Sequence, residues 1–522
     1  MIWKITKKEF LLNVMTFKFA LGVMVCVVLM SVFMPVLVND YEQRLKDYNE
    51  NVAANEAELR KVKVYKNITP TVYRPPNVLS VFSEGIDNQL DSSEKIDILA
   101  GSNILLEAEA KGDNSLLSVF PTLDVTLIFK IVMSILALLM AYDVISGERE
   151  QGTLKLILSN TAARYKVLLG KLVAGLMTLI VPVTASFILG LLILLPSNMV
   201  SLTGAQWFRI ALMYFASLVF VTAMFNLGLL LSCLSKNSAI CLVFGLFLWL
   251  LLATILPNAS AYIASQLKPI ESPEEFSGKV KAVTDRRGSE IKELTKDIKG
   301  DGSEAATDAP GAFGHTYYHL CNKSSMDYDR KTYTITEPVK IKYFDKVLGV
   351  KEMHLNDLIR QKQFADNIAG VSPIVLYENL MSVLAGTDFG NFKCFKNNVR
   401  TYGNEVADYI RSKTENFAST SYFTPCKEGD YEKLMGVIYK PIMEAKDKEK
   451  KAKLMGAAMK QYEQMLKETP SLDLQDFPKF TSQPKGIRET LQQAISTIGL
   501  LIFASILFFA LSFVAFLKYD VR

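Results

Sequence analysis

Long apolar stretches alternate with polar stretches along the chain, and this alternation predicts how the molecule is organised. Six stretches are nearly free of charge over about 20 residues, the length that a helix needs to cross a bilayer. They predict transmembrane helices at 17–38, 123–143, 167–195, 207–234, 238–256 and 491–517. Between them lie two long regions of soluble composition, 39–122 and 257–490. The pattern therefore predicts a mainly α polytopic membrane protein.

Both long regions carry signals of folded structure. Residues 40–60 keep apolar positions at helical spacing, which predicts that the first membrane helix continues outward as a stalk of about 30 Å. Residues 257–490 exceed one typical domain in length and are mainly helical in pattern. The alternating segment at 332–344 predicts one or two short strands. We expect a large, mostly helical α+β domain that stands above the membrane and contacts the stalk.

The short polar loop at 144–166, between the second and third apolar stretches, is the most distinctive part of the chain. It contains the charge cluster Glu148, Arg149 and Glu150, followed by Gly152. After the glycine, apolar residues recur at helical spacing from Leu154 to Leu158, which predicts a short amphipathic helix. The loop is either a docking element that is gripped from the aqueous side or a charged juxtamembrane loop without a partner.

The string DVISGEREQGTLKLILSN, followed by Arg164 and by LLGK at 168–171, resembles the signature of ABC type-2 exporter permeases. A long-loop subfamily of these permeases has segments similar to YRPPNVLSVFSEG at 73–85, VSPIVLYENLMSVLAGTDFGNFKCF at 371–395, DFPKFT at 476–481 and the terminal FLKYDVR. The resemblance covers all six apolar stretches and both long regions and is weakest over 257–370.

In this family the short loop is a coupling helix that sits in a groove of a cytoplasmic ATPase. The resemblance implies that the charged cluster contacts polar groups of that groove and that Leu154 and Leu158 pack into it. The implied coupling residues are Gly147, Glu148, Arg149, Glu150, Gly152, Thr153, Leu154 and Leu158. The implied partners are two cytoplasmic ABC ATPase subunits and a second permease subunit, identical or related.

The distribution of basic residues in short segments predicts the orientation, because such residues collect on the cytoplasmic side. One side carries Lys4, Lys7, Lys8, Arg149, Lys155, Arg164, Lys166, Lys171, Lys236, Lys518 and Arg522, whereas the short loop 196–206 carries none. Both termini and the coupling loop are therefore expected in the cytoplasm of a bacterium, with the chain in its inner (cytoplasmic) membrane. Residues 1–16 predict an interfacial helix whose lysines face anionic lipid headgroups.

Three polar residues in the apolar stretches are candidates for a transport path. Asp124 and Lys130 lie in the second stretch and Asn226 in the fourth. A charge inside a spanning helix costs several kcal/mol unless it pairs, snorkels or faces water. Lys130 either lines a path or snorkels to the outer surface, and Asn226 either contacts a substrate or bonds to a neighbouring helix.

Candidate chemistry in the soluble regions is sparse. Cys26, Cys233 and Cys241 lie in apolar stretches and suit buried packing, so the disulfide candidates are Cys321, Cys394 and Cys426. Cys394 and Cys426 are closest in sequence and form the preferred pair in an oxidising envelope. His315, His319 and Cys321 could hold zinc or copper, but no fourth ligand is visible and packing is favoured. Packing is also favoured over a soft-metal face for Met455, Met459 and Met465.

The absence of certain catalytic motifs from the sequence limits the functions to be expected. The chain has no GxxxxGK[ST] phosphate loop and no HExxH motif, so ATP and Mg²⁺ are expected on the partner ATPase and not on this chain. A net charge of +5 over 522 residues gives no argument for nucleic acid. We expect a non-catalytic permease that couples ATP hydrolysis to export of an unidentified substrate. The alternative is an ATPase-driven scaffold that acts on an extracytoplasmic protein partner without transport.

Overall fold

The computed structural model describes residues 2–87, 92–97, 124–159, 163–197, 199–298, 323–425, 444–445, 447–468 and 470–518. Among these residues, six helices are long and apolar enough to cross a membrane, and they confirm the predicted fold class. They are α2 (Phe17–Leu59), α3 (Val125–Glu150), α5 (Arg164–Leu194), α6 (Gly204–Leu234), α7 (Ser238–Leu267) and α14 (Ile487–Leu517).

Shorter elements complete the described chain. Helix α1 (Ile2–Val14) precedes the bundle, and α4 (Thr153–Ser159) lies in the loop after α3. The large region between α7 and α14 holds α8 (Pro273–Thr295), α9 (Lys323–Ala369), α10 (Pro373–Ala385), α11 (Phe389–Lys413), α12 (Thr420–Phe423) and α13 (Lys448–Glu468). Strands β1 (Thr71–Tyr73) and β2 (Ser93–Lys95) pair antiparallel, with Val72 opposite Glu94.

Two hydrophobic cores hold the fold together. The first lies inside the helix bundle, where α2 contributes Cys26, Met30, Met34 and Val38 at four-residue spacing. This spacing confines burial to one stripe of α2, and the opposite face exposes apolar side chains such as Val28 and Val32. The second core lies beyond the stalk, where Tyr65, Ile68 and Val72 pack with residues of α9 and α11.

An extended strap, residues 472–485, joins the second core to the last membrane helix. It begins at the far end of the stalk, where Leu472 N donates to Val62 O at 2.9 Å. It then follows α11 toward the bundle: Tyr402 Oη donates to Pro478 O at 3.1 Å, and Asn398 Nδ2 donates to Gln483 O at 2.8 Å. The strap ends at the first residues of α14.

The strand prediction at 332–344 is wrong, because this segment lies within α9. Its buried residues Val339, Tyr343 and Val347 recur every four positions, and Phe344 precedes Val347 by three, which is the spacing of one helix face. The β-branched and aromatic residues that favoured a strand serve instead to pack one helix face. Strand propensity is strongly context-dependent, and tertiary packing overrides it here.

Helix α10 corrects the expectation that all of 257–490 stands above the membrane helices. Its residues Ile374, Tyr377, Leu380, Met381 and Leu384 are buried in the bundle core. The Tyr377 ring stacks on Phe220 of α6 at 4.3 Å between centroids. Ser372 begins the helix as its N-cap, and Gly386 ends it in the left-handed conformation. The apolar faces of α10 thus fill space between membrane helices.

Gly85 lies where the segment after the stalk meets the end of α10. Its φ is 53°, and a Cβ there would lie 2.7 Å from Thr387 O. We expect Gly85→Ala to lower the free energy of unfolding by about 2–4 kcal/mol, from left-handed strain and overpacking together. Gly152→Ala is the matched control, since φ is 73° but no described atom would lie within 4 Å of its Cβ.

Urea titration of both variants in detergent micelles measures the two losses, and the control should lose only about 1 kcal/mol. Equal losses would contradict the close approach of Gly85 to Thr387.

Candidate functional site

Residues 146–159 hold the loop that the family resemblance implies to be a coupling helix, and they are called the coupling segment for that reason. This segment folds as two short helical pieces. The first is the turn Ser146–Glu150 and the second is α4. Gly152 separates them with a φ of 73°, a conformation that glycine adopts without steric cost. Thr153 Oγ1 donates to Glu148 O at 3.2 Å across this bend. The predicted amphipathic helix after Gly152 is therefore α4, and the charge cluster occupies the turn before it.

Glu148 is tied to the start of α5 and to α1 through one buried ammonium. Lys171 Nζ lies 2.7 Å from Glu148 Oε1 and 3.1 Å from Glu9 Oε1, and its side chain is 3% exposed. Helix α1 is also held by Thr6, whose Oγ1 donates to Gly170 O at 3.2 Å. A buried ammonium needs such partners, because desolvation of an unpaired charge costs several kcal/mol.

Arg149 and Glu150 bond to opposite sides of the α6–α7 connection. Arg149 donates to Ser235 O at 2.8 Å and to Cys233 O at 3.2 Å, which are carbonyls at the end of α6. Glu150 accepts from Ser238 Oγ at 2.5 Å and from Ser238 N at 3.2 Å, at the beginning of α7. A cation at a helix C-terminus and an anion at a helix N-terminus both interact favourably with the helix dipole. The cluster therefore connects the coupling segment to three other membrane helices.

The two leucines assigned to the ATPase groove differ in what the structure shows. Leu154 is fully buried in the bundle core, so the expectation that it packs into a partner's groove is wrong. Helical geometry turns the neighbouring positions outward, and Lys155 and Leu156 are exposed, Leu156 at 70%. Leu158 lies within α4, and its side chain is outside the described part of the chain. Gly147 packs against its own helical turn near Asp143.

The candidate path residues each have a partner within the chain. Asp124 caps α3, and its carboxylate accepts from Leu127 N at 2.6 Å and from Glu84 N at 3.0 Å. Lys130 pairs with Glu378 of α10 at 2.6 Å. Asn226 Nδ2 donates to Ser505 Oγ of α14 at 2.9 Å. These contacts favour packing for Asp124 and Asn226, and their role in transport stays a prediction.

The candidate thiol and metal residues lie mostly outside the described chain. Cys394 carries a free thiol whose Sγ is 3.3 Å from Gln483 O, whereas Cys426 falls outside the described residues, as do His315, His319 and Cys321. The disulfide between Cys394 and Cys426 therefore stays a prediction. Met455, Met459 and Met465 all lie on α13. The described residues contain no group of three or more metal-ligating side chains.

Sequence reasoning missed the internal partners of the charge cluster. The sequence places Lys171 among the basic residues on one side of the membrane and Ser238 at the start of the fifth apolar stretch, and it indicates no contact between these residues and the cluster. The signal was present in the acidic excess of Glu148 and Glu150, since carboxylates beside an apolar bundle require cationic or N–H partners. The sequence has no comparable signal for the pairing of Glu378 or for the position of α10 within the bundle.

Six candidate spanning helices, together with a charged loop that is bonded to three of them, define a multi-pass membrane protein. The chain matches the model of the ABC-2 family transporter protein over residues 3–521, and it belongs to this family. It is accordingly the membrane permease of an ABC transporter, which works with an ABC ATPase. No curated protein matches the chain.

The contacts of the cluster generate a prediction about stability. Glu148→Gln should lower the free energy of unfolding by about 1–3 kcal/mol, because Lys171 loses one of its two carboxylates while it stays buried. Glu150→Gln is the control, since Glu150 is exposed and its amide oxygen can still accept from Ser238. Thermal unfolding of both purified variants measures the difference, and proteolysis before Phe17 reports release of α1. Equal stability in the two variants would argue against the buried pair.

Proposed function

We propose that the chain couples movement of a separate cytoplasmic ATPase to export of a substrate, and that the movement enters through the coupling segment. The observation that carries this proposal is the three-way attachment of Glu148, Arg149 and Glu150 to α5, α6 and α7. A push on a segment bonded in this way is passed to several membrane helices at once. ATP and Mg²⁺ would be bound by the ATPase.

The face that would meet the ATPase is the exposed side of α4. Lys155 and Leu156 project from it, while Leu154 anchors the same helix from behind in the bundle core. An exposed apolar side chain beside a lysine suits a groove with an apolar floor and an acidic rim. The charged cluster then acts behind this face as the connection to the bundle.

The proposed orientation places the coupling segment, α1 and both termini in the cytoplasm of a bacterial cell, with the chain in its inner membrane. Lys4, Lys7 and Lys8 of α1 are exposed at the same end of the bundle as the coupling segment, which suits anionic headgroups. The second core then lies outside. A second permease subunit, identical or related, would cover part of the apolar faces that this chain exposes.

The alternative function, a scaffold that moves an external protein partner without transport, is favoured by a different observation. Helix α2 is continuous from Phe17 to Leu59, and the strap connects the same far end to α14. One membrane helix, α2, thus reaches the second core directly, and α14 is joined to it through the strap. Transport by the reconstituted complex would favour export, whereas ATP-dependent movement of the second core without any transported molecule would favour the scaffold.

Docking on α4 is tested by Leu156→Asp. The substitution places a charge on a 70% exposed position and should reduce co-purification of the ATPase about tenfold or more, with little change in the stability of the permease. Leu267→Asp at the end of α7 is the control, since Leu267 is 65% exposed at the opposite end. Unchanged ATPase binding by Leu156→Asp would remove α4 as the docking face.

The orientation is tested by Ser289→Cys in a background without native cysteines. Ser289 is exposed on α8, in the region that the proposal places outside the cell. An impermeant thiol reagent should label it on intact cells with the outer membrane made permeable. Lys155→Cys, exposed on the opposite side, should be labelled only after lysis. The reverse pattern would invert the topology and exclude docking of a cytoplasmic ATPase on α4.

A further inference from the structure

An ion pair lies on the side of the bundle where α10 meets α3. Lys130 Nζ is 2.6 Å from Glu378 Oε2, and the two side chains are 18% and 47% exposed. The neighbours of Glu378 on α10, including Tyr377 and Leu376, are buried. Glu378 is thus the exposed residue of this part of α10. The adjacent surface is apolar, because Ile131 is 39% exposed.

The depth of this pair follows from the contacts of α10 with two spanning helices. Tyr377 Oη lies 2.9 Å from Ser217 Oγ, near the midpoint of α6 (Gly204–Leu234). Ser372 Oγ donates to Leu252 O at 3.0 Å, near the midpoint of α7 (Ser238–Leu267). Since Glu378 follows Tyr377 directly, its carboxylate lies at the level of the apolar spans and not above them.

Irregular turns in two spanning helices flank α10. A π-helical turn at Phe129–Met133 contains Lys130, and a second one at Leu251–Ile255 contains the carbonyl that Ser372 binds. Ser134 Oγ donates to Lys130 O and accepts from Trp249 Nε1 at 2.7 Å, which joins the two irregular helices. Such π-helical turns are frequent at functional sites, where they aim a side chain away from the regular helical path.

The charges at this place do not balance. Asp124 and Glu378 are acidic, and Lys130 is the neighbouring cation. The Asp124 carboxylate is buried and already accepts two backbone N–H groups. Among the described residues, Oε1 of Glu378 receives no hydrogen bond. A half-exposed carboxylate cannot face acyl chains without a cost of several kcal/mol, so this surface faces water or a polar ligand.

We infer that Glu378 binds a cationic group of the transported molecule. This molecule is an amphiphile that carries a protonated amine. Lys130 holds one carboxylate oxygen in place, and the other oxygen accepts from the ligand. The apolar part of the ligand packs beside Ile131. This inference rests on the proposed transport function, and it assigns the contact to the outer half of the bundle, away from the coupling segment.

The test uses three probes with the same chain length and different charge. The complex with its ATPase is placed in lipid nanodiscs, with Ile131→Cys in a background without native cysteines, and the rate of maleimide labelling is measured. Dodecylammonium should slow labelling about tenfold, whereas dodecyl sulfate and dodecyl maltoside should not, because only the ammonium can donate a charge-assisted hydrogen bond to Glu378. Equal protection by all three probes would overturn the inference.

Two variants separate ligand binding from a structural ion pair. Glu378→Gln should abolish the protection by the cation. The exchange of both charges, Lys130→Glu with Glu378→Lys, keeps the pair but exposes an ammonium, so protection should pass to dodecyl sulfate. A thermal midpoint near that of the parent protein shows that the exchanged variant is folded. Continued preference for the cation in the exchanged variant would show that the pair does not contact the ligand.

Two further outcomes decide what the surface meets. Disulfide cross-linking of Ile131→Cys between two copies would assign this surface to a subunit interface and overturn the inference. The Leu156→Asp variant should lose the ATPase and keep the charge-selective protection. If ATPase binding is lost while protection remains, the docking on α4 and the ligand binding at Glu378 are separate properties, and either proposal can fail without the other.

Discussion

Polar groups inside an apolar helix bundle must find partners within the protein, and this constraint determines much of the architecture. Lys171 can be 3% exposed only because two carboxylates from different segments approach it. The same requirement joins Asn226 to α14 and Tyr377 to α6. Apart from the contact of Lys171 with Glu148, these bonds connect helices that are distant in sequence. In a bilayer, where lipid competes equally for apolar surface, such bonds and close packing specify which helices are neighbours.

The charged cluster therefore has a different physical role from the contact with a partner protein that its position in a short polar loop predicted. Charged residues in a short loop are usually solvated, and a partner protein is the natural place to look for their contacts. Here Glu148, Arg149 and Glu150 are used within the chain, and the outward surface comes from Lys155 and Leu156. Under the proposed function, the charges attach the segment to the bundle, and the exposed side of α4 recognises the ATPase.

Much of the fold could be predicted from the sequence because the strongest signal is also the simplest one. Uncharged stretches of membrane-spanning length leave few alternatives to helices, and helical spacing in the stalk extended the first of them correctly to Leu59. The segment at 332–344 misled because alternation over a few residues fits a strand and one face of a helix alike. The position of α10 could not be predicted, since its apolar faces would equally suit the core of a soluble domain.

The location of the candidate site along the chain could be predicted from the sequence, but the contacts of its residues could not. The GEREQGT string marks the loop, but the partners of its charges lie in α1, in α5, at the end of α6 and at the start of α7. Sequence spacing carries no information on such distant pairings. The same reason hid the pairing of Lys130 with Glu378, which are 248 positions apart. Long-range pairs depend on how helices pack, and packing is decided by the whole bundle.

The continuous helix α2 has the geometry of a lever. From Val38 to Leu59 it extends about 32 Å at 1.5 Å per residue. Rotation of the membrane part by about 10° would carry the far end sideways by about 5–6 Å, with a proportional loss of force. Because the strap meets this end at Val62, unequal rotation of α2 and α14 becomes sliding within the second core. The arrangement favours a large displacement over a large force, which suits opening a surface of the second core better than pulling on a load.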